Sequence, residues 1–230
     1  MFILGFESTA KSASVALLRD GALVAEAFQN SALTHSKTLL PMAEDMLKNC
    51  DINFDEIDVF AVSHGPGSFT GIRIGVSCVK GLCWALEKPA VGVSTLEAMA
   101  YGAALSPEGT LICCAMDARR NEVYNALFTF CNGELKRLCP DRALALEALK
   151  KELCERSEPI VIIGDGAKLC YDYVKDKIEN VRIAPQALQH QRASGVCLAA
   201  QCHEPKSAEH LLPVYLRLSQ AERERLEKNK

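Results

Sequence analysis

Residues 2–8 read FILGFES, an apolar run that closes on Glu7 and Ser8, and residues 111–117 read LICCAMD, an apolar run that closes on Asp117. The segments after the two runs come in the same order. SVALLRDGALVAEAF (14–28) and VYNALFTFCNGELKRL (123–138) each hold two β-prone arms about a dipeptide, Asp20-Gly21 or Asn132-Gly133. Both dipeptides tolerate the positive φ of a tight hairpin. Each hairpin leads to a predicted helix (34–50 and 142–156), a buried strand (IDVFAVS, 57–63; IVIIGDGA, from 160), a glycine turn and further helix. The first half closes with a short strand, AVGVS (90–94), and a helix, TLEAMAYGAAL (95–105). A unit repeated in this way predicts an α/β fold of two duplicated lobes, the second less complete, and excludes a short-period solenoid. The expected boundaries are 1–106 and 107–217, divided at Ser106-Pro107-Glu108-Gly109, with a charged tail over 218–230. Ligands of open α/β sheets sit at the carboxyl ends of strands. A cleft flanked by Glu7 and Asp117 is therefore expected.

Composition narrows the function classes. The 230 residues are 49% hydrophobic with a formal net charge of −3, ample for a packed core and without general attraction to nucleic acid or anionic membrane. Glu7 and Lys11 interrupt the apolar start, which lacks a basic leader, and no apolar run reaches the roughly 20 residues of a membrane span. The expectation is a soluble, cytoplasmic chain with no membrane association. Eleven cysteines without a C-x-x-C pair read as small buried hydrophobes in a reducing compartment, and no metal site is expected.

SHGPGSFTGIRIG (63–75) follows a strand and opens a helix, so Gly65 and Gly67 could expose backbone N–H groups to an anion. The motif is neither G-x-x-x-x-G-K-[ST] nor G-x-G-x-x-G, and a bare strand–turn–helix connection explains it equally. The helix beyond it has too many apolar faces. One stripe runs Ile72, Val76, Val79, Cys83, Leu86; a second runs Gly71, Gly75, Cys78, Leu82, Ala85; the third, Arg73, Ser77, Lys80, Trp84, Glu87, holds the single tryptophan. The preceding helix carries Leu39, Ala43, Met46 and Cys50 on one stripe, widened by Leu40, Leu47 and Met42. Core packing would account for either helix alone. Two wide apolar faces side by side predict a protein–protein seam at Leu39, Leu40, Met42, Met46, Ile72, Gly75, Val76, Val79 and Cys83, of the kind a shared four-helix bundle buries.

The duplicated topology resembles the actin, sugar-kinase and Hsp70 superfamily, in which paired carboxylates hold a metal–nucleotide between lobes. ILGFESTAKSASVALL (3–18), HSKTLLPMAEDML (35–47), HGPGSFTGIRIGVSCVKGLCWALEKPAVGVSTLEAMA (64–100), DARRNEVYNALF (117–128) and PVYLR (213–217) together resemble the bacterial TsaB (YeaZ) family. That resemblance implies a role in forming N6-threonylcarbamoyladenosine next to the anticodon of tRNAs that read A-starting codons. It also implies that the chain is a non-catalytic relative of the transferase TsaD, pairs with TsaD through a helical bundle, and is joined by the ATPase TsaE. Homodimers would form when the chain is alone, and tRNA would be met only through the complex. Where TsaD-like enzymes carry H-x-x-x-H, Thr95 and Met99 stand here, and neither is a histidine-like metal ligand. Glu7 replaces the family's usual aspartate, and Ala118 and Arg119 stand where phosphate would want small or hydroxyl residues. The expected site is therefore vestigial (Glu7, Ser8, Gly65, Gly67, Asp117), without catalytic or metal-binding residues. No cofactor is required by this chain, and ATP or ADP would enter only in the complex. The competing expectation is an active nucleotide-dependent transferase or kinase using Glu7 and Asp117. A serine peptidase is disfavoured because no G-x-S-x-G occurs.

Overall fold

The computed structural model describes residues 1–31 and 33–217. The expected tail at 218–230 lies outside them. The first sheet is built from β1 (Phe2–Glu7), β2 (Ala13–Arg19), β3 (Ala22–Gln29), β4 (Val59–Gly65) and β5 (Ala90–Ser94), in the order β3-β2-β1-β4-β5. Helices α1 (His35–Asn49) and α2 (Phe69–Leu86) lie between β3 and β5 in sequence, and α3 (Thr95–Ala100) follows β5. The second half provides β6 (Leu111–Asp117), β7 (Glu122–Cys131), β8 (Glu134–Arg137), β9 (Arg142–Ala145), α4 (Leu146–Cys154), β10 (Ile160–Ile163), α5 (Ala167–Val174), β11 (Val181–Ile183) and α6 (Ala193–Ala200). Its sheet runs β8-β7-β6-β10-β11, the same path as the first, with β9 also paired to β7. Both hairpins form where Asp20-Gly21 (φ 51° and 82°) and Asn132-Gly133 (φ 55° and 78°) take left-handed backbone.

The duplication is thus real in three dimensions, with one local correction. The stretch expected as helix from 142 begins as β9, and α4 starts only at Leu146. Beta8 and β9 together occupy the edge of β7 that β3 occupies on β2, at Phe128–Cys131 and Glu122–Asn125 respectively. Arg142 is held there because its guanidinium donates to Asn125 Oδ1 and pairs with Glu152.

Both faces of each sheet are covered, which explains why the central strands read as nearly continuous apolar runs. In the first sheet Leu4, Phe6, Val15, Leu17, Phe60 and Val62 pack against α1 and α2, whereas Ile3, Ala16, Leu18, Val59 and Ala61 pack against α6. The second sheet places Cys113, Ala115, Val123 and Leu127 against α4 and α5, and Ile112, Cys114, Met116 and Phe128 against α3.

The last helix of each unit is therefore exchanged. Alpha3 reaches the second sheet with Leu96, Met99 and Ala100 while its Ala98 stays in the first-sheet cluster; α6 leaves the second sheet and packs on the first. The two cross so tightly that a Cβ on Gly195 would lie 2.2 Å from the Ala98 carbonyl oxygen. Residues 193–211 accordingly do not belong to the second lobe as the 107–217 boundary supposed. Val196 and Cys197 complete one side of the first sheet, Ala208 and Leu211 join the core on its other side, and Lys206 bridges to Ala90 beside β5.

Alpha2 is long and apolar enough to cross a membrane, but its buried residues form the floor of the first lobe. Apolar character here follows from packing against the sheet.

The crossing gives a stability test. Gly195→Val forces a side chain into the Ala98 backbone and is expected to cost about 2 kcal/mol, in the range of overpacked cores. For a chain of this size that lowers Tm by roughly 4–8 °C. Gly81→Ala is the control: nothing among the described residues lies within 4 Å of a Cβ at that exposed position in α2, so the helix gains about 0.5–1 kcal/mol. Thermal unfolding followed by circular dichroism distinguishes the two.

Candidate functional site

The carboxyl end of β1 is sealed. Glu7, Ser8 and Thr9 are each fully buried. The Thr9 amide and hydroxyl both donate to Glu7 Oε1 at 2.6 Å. Burial pushes the Glu7 pKa above the ordinary carboxylate range, while the Ser63 and Thr9 hydroxyls and the Thr9 amide act the other way. Ser63 Oγ favours the charged form from nearby, yet neither it nor Glu7 Oε2 completes a hydrogen bond of good geometry. Ser12 Oγ and Thr95 Oγ1 are likewise buried without a hydrogen-bond partner among the described residues.

The glycine segment closes over this end of the strand. Gly65 and Gly67 have φ of 127° and 155°, conformations that glycine adopts without strain. A Cβ on Gly67 would lie 2.5 Å from the Thr9 carbonyl oxygen. That oxygen accepts from Ser68 N at 2.7 Å, and the Ser68 hydroxyl caps α2 by accepting from Gly71 N. Two N–H groups at the start of the helix, those of Ser68 and Gly71, are thus spent inside the chain. Gly71 and Gly75 do admit a close neighbour, but it is β1: Cβ atoms there would fall 2.0 Å from Ser8 O and 2.5 Å from Ser8 Oγ. Ser8 Oγ itself donates to the Gly71 carbonyl at 2.9 Å. Glu7 ends β1 with Ser8 next to it, and Gly65 ends the neighbouring parallel β4 with Gly67 just beyond, so the four lie at one end of the first sheet.

Asp117 is different. Its exposed carboxylate accepts from Arg119 N at 2.7 Å and so folds its own turn, where Arg119, Arg120 and Asn121 all take left-handed backbone (φ 63°, 57° and 58°). Beside it, Asp165 has an exposed edge but is crowded by protein, which raises its pKa; Gln191 donates to it at 3.0 Å. Thr95 and Met99, at the positions compared with a metal-binding pair, are buried in the core. His64 packs against Gly92, and burial lowers its pKa.

Sequence reasoning missed the role of PVYLR. Val214 N donates to His64 O at 2.7 Å, Tyr215 stacks on Phe69 with ring centroids 4.5 Å apart, and Arg73 Nε donates to the Tyr215 hydroxyl at 2.9 Å. Arg217 reaches the second lobe, donating to Ala118 O at 2.7 Å and pairing with Glu122. The signal available was an aromatic and an arginine two residues apart in a short apolar segment.

A polar network ties the lobes elsewhere. Ser94 donates to Asp141, Arg137 pairs with both Asp141 and Glu97, and His203 lies 3.0 Å from Glu97.

The seam expected on α1 and α2 needs correction. Leu39, Met46, Ile72, Val76, Val79 and Cys83 are buried in the core beneath the helices, and Gly75 lies against Ser8 and Val62. The stripe that looked like an interface is the stripe that faces the sheet. Leu40 and Met42 keep accessible surface. Leu40 and above all Trp84, which is 69% exposed, face outward, whereas Met42, Ile74, Cys78 and Leu82 are half-buried and pack in part on the core.

Comparison with known proteins agrees with this architecture. A family model described as TsaD, tRNA N6-adenosine threonylcarbamoyltransferase, matches residues 26–224. The chain is 31% identical, over the full length of both, to the tRNA threonylcarbamoyladenosine biosynthesis protein TsaB of Bacillus subtilis. A Pseudomonas aeruginosa structure, described as an uncharacterized protein with similarity to peptidase YEAZ, superposes with a TM-score of 0.80 at 28% identity, covering 94% of this chain and 99% of that one. The ROK hexokinase of Thermus thermophilus shares the actin-like fold alone, at a TM-score of 0.50 and 11% identity, over 87% of this chain and 98% of that one.

Glu7 supplies a pH test. A carboxyl whose folded pKa is raised binds its proton more tightly in the native state, so stability falls as pH rises from about 4.3, the unfolded value, to the folded pKa. Glu7→Gln keeps an acceptor for Thr9 and carries no charge at any pH. Urea unfolding at pH 4.5 and pH 7.5 is expected to show the stability difference moving in favour of Gln at the higher pH. A difference moving toward the wild type would mean a charged, compensated Glu7.

Proposed function

The chain belongs to the TsaB family and to the biosynthesis of threonylcarbamoyladenosine in tRNA, and from that premise we propose that it acts as a non-catalytic partner that binds and activates the TsaD transferase. The observation that carries this reading is a contrast between two surfaces. Of the two interlobe carboxylates Glu7 has no solvent exposure and only Asp117 is reachable, whereas α1 and α2 present Leu40 and Trp84 to solvent. A metal–nucleotide needs reachable carboxylates and free N–H groups. A helical partner needs what the outer face offers, and a large exposed aromatic is the residue type that most often anchors an interface.

On this reading TsaD supplies the catalytic residues and this chain supplies a rigid helix pair. TsaE joins as the ATPase, so nucleotide enters the assembly through partners and tRNA is met through the complex. In the absence of TsaD the same face pairs with a second copy about a two-fold axis. The peptidase activity that one relative's description mentions has no support in the sequence, which carries neither G-x-S-x-G nor H-x-x-x-H.

Reconstitution tests the proposal: threonylcarbamoyl transfer to tRNA is measured with TsaD, TsaE and donor, with and without this chain. Transfer is expected only when the chain is present, with TsaD co-eluting on light scattering. Turnover of nucleotide or donor by the isolated chain, with TsaD indifferent to it, would contradict the reading. Trp84→Glu should weaken pairing about 30-fold or more, the equivalent of roughly 2 kcal/mol for an interface anchor, and leave the circular dichroism native. Val76→Arg, by contrast, should unfold the first lobe.

A further inference from the structure

We propose that the cavity on the free edge of β5 binds the carboxylate end of an extended peptide, whose last residue pairs with Gly92. The cavity has a volume of about 520 Å³, within the range of small-ligand sites. Its lining comes from Ala90, Val91 and Gly92 of β5, from His64 of β4, and from the segment between Cys202 and Leu211.

The register shows which backbone groups face it. Phe60 stands opposite Ala90, and Phe60 N donates to Pro89 O. The groups that bond β4 are therefore those of Pro89, Val91 and Val93, and the residues between them turn their N–H and C=O to the other edge. Ala90 spends both on Lys206, donating to its carbonyl at 2.8 Å and accepting from its N–H at 2.9 Å. Continued by two residues, this antiparallel pairing would bring Glu204 opposite Gly92, but it stops at the single bridge. The outward N–H and C=O of Gly92 have no partner among the described residues. The next outward-facing residue, Ser94, is already the N-cap of α3. One residue's pair is thus free, which suits a chain end rather than a whole strand. An extended terminal residue offers the match: its N–H to the Gly92 carbonyl and its carboxylate to the Gly92 N–H, the exchange Lys206 makes with Ala90.

The side chains favour a carboxylate over an amine. Lys206 and His210 line the cavity without an ion-pair partner among the described residues. His64 and His203 add two imidazoles, the second of them 3.0 Å from Glu97. Glu204 is the one carboxylate in the lining. A Cβ on Gly92 would lie 2.5 Å from His64 Nδ1, so that imidazole packs directly on the backbone the ligand pairs with.

An NMR titration of the full chain tests the site, with acetyl-Ala-Ala as probe and the Gly92 amide as readout. The free acid is expected to shift that amide saturably. Its C-terminal amide, and acetate alone, should bind about tenfold more weakly, the low end for losing a hydrogen bond to a charged group. Lys206→Ala, which leaves the backbone bridge to Ala90 in place, should weaken the acid about fivefold, the size of one exposed charge contact. No saturable shift at Gly92 would overturn the site. Equal binding of the peptide amide, or tighter binding of Ala-Ala amide through its free amine, would overturn the carboxylate assignment. Equal binding of acetate would overturn the pairing with Gly92 by leaving a simple anion site. Each outcome is read on the isolated chain and is independent of its pairing with TsaD.

Discussion

The reciprocal exchange of α3 and α6 is the constraint on which the rest of the structure depends. Each lobe buries a helix that the chain delivers from the other lobe, and the two helices meet where Gly195 leaves room for the Ala98 backbone. Neither lobe can therefore complete its apolar layers alone. The cysteine at 197 fits the same requirement, since a Cβ on Gly5 of β1 would lie only 2.5 Å from its sulfur. Small residues at the crossing are a consequence of three backbones sharing one layer, and they fix how the carboxyl ends of β1 and β6 face the groove.

Given that frame, the chemistry of the groove is set by the groups that fill it. Beta1 ends in a carboxylate that the Thr9 hydroxyl and amide solvate on one oxygen. The glycine loop presses on Thr9, and the C-terminal segment runs over the loop. Burying a carboxyl in this way favours its neutral form, the reverse of what holding a divalent cation would require. The superfamily's scaffold is intact, while the groove is packed by the chain itself. On the proposed reading the interaction surface is the outer side of α1 and α2.

Much of this was legible in the sequence because it depends on local chemistry. Asp20-Gly21 and Asn132-Gly133 specify hairpins by their tolerance of left-handed backbone, and the paired apolar strands announce the duplication. The three-stripe character of α2 was visible too, but periodicity gives the angles between faces and not which face meets the sheet. Ile72, Val76 and Val79 face the sheet because β1 and β4 present Leu4, Phe6, Phe60 and Val62 to them. Only the fold shows why positions 71 and 75 lack side chains: the Ser8 carbonyl oxygen and hydroxyl lie where their Cβ atoms would be. Alpha6 was assigned to the second lobe by chain order, since nothing in ASGVCLAA states which sheet it will cover. Beta9 escaped because four residues on an edge strand are chosen by long-range pairing with β7 and by Arg142's contacts with Asn125 and Glu152.

On the proposed reading, function has moved from the groove to the outer helical face. A photo-cross-linking residue in place of Trp84, and separately in place of Arg120 beside the groove, tests this most directly in the presence of TsaD. The expected result is efficient cross-linking to TsaD from the position of Trp84 and none from that of Arg120. Cross-linking from the groove position alone, with the Trp84 position silent, would contradict the account.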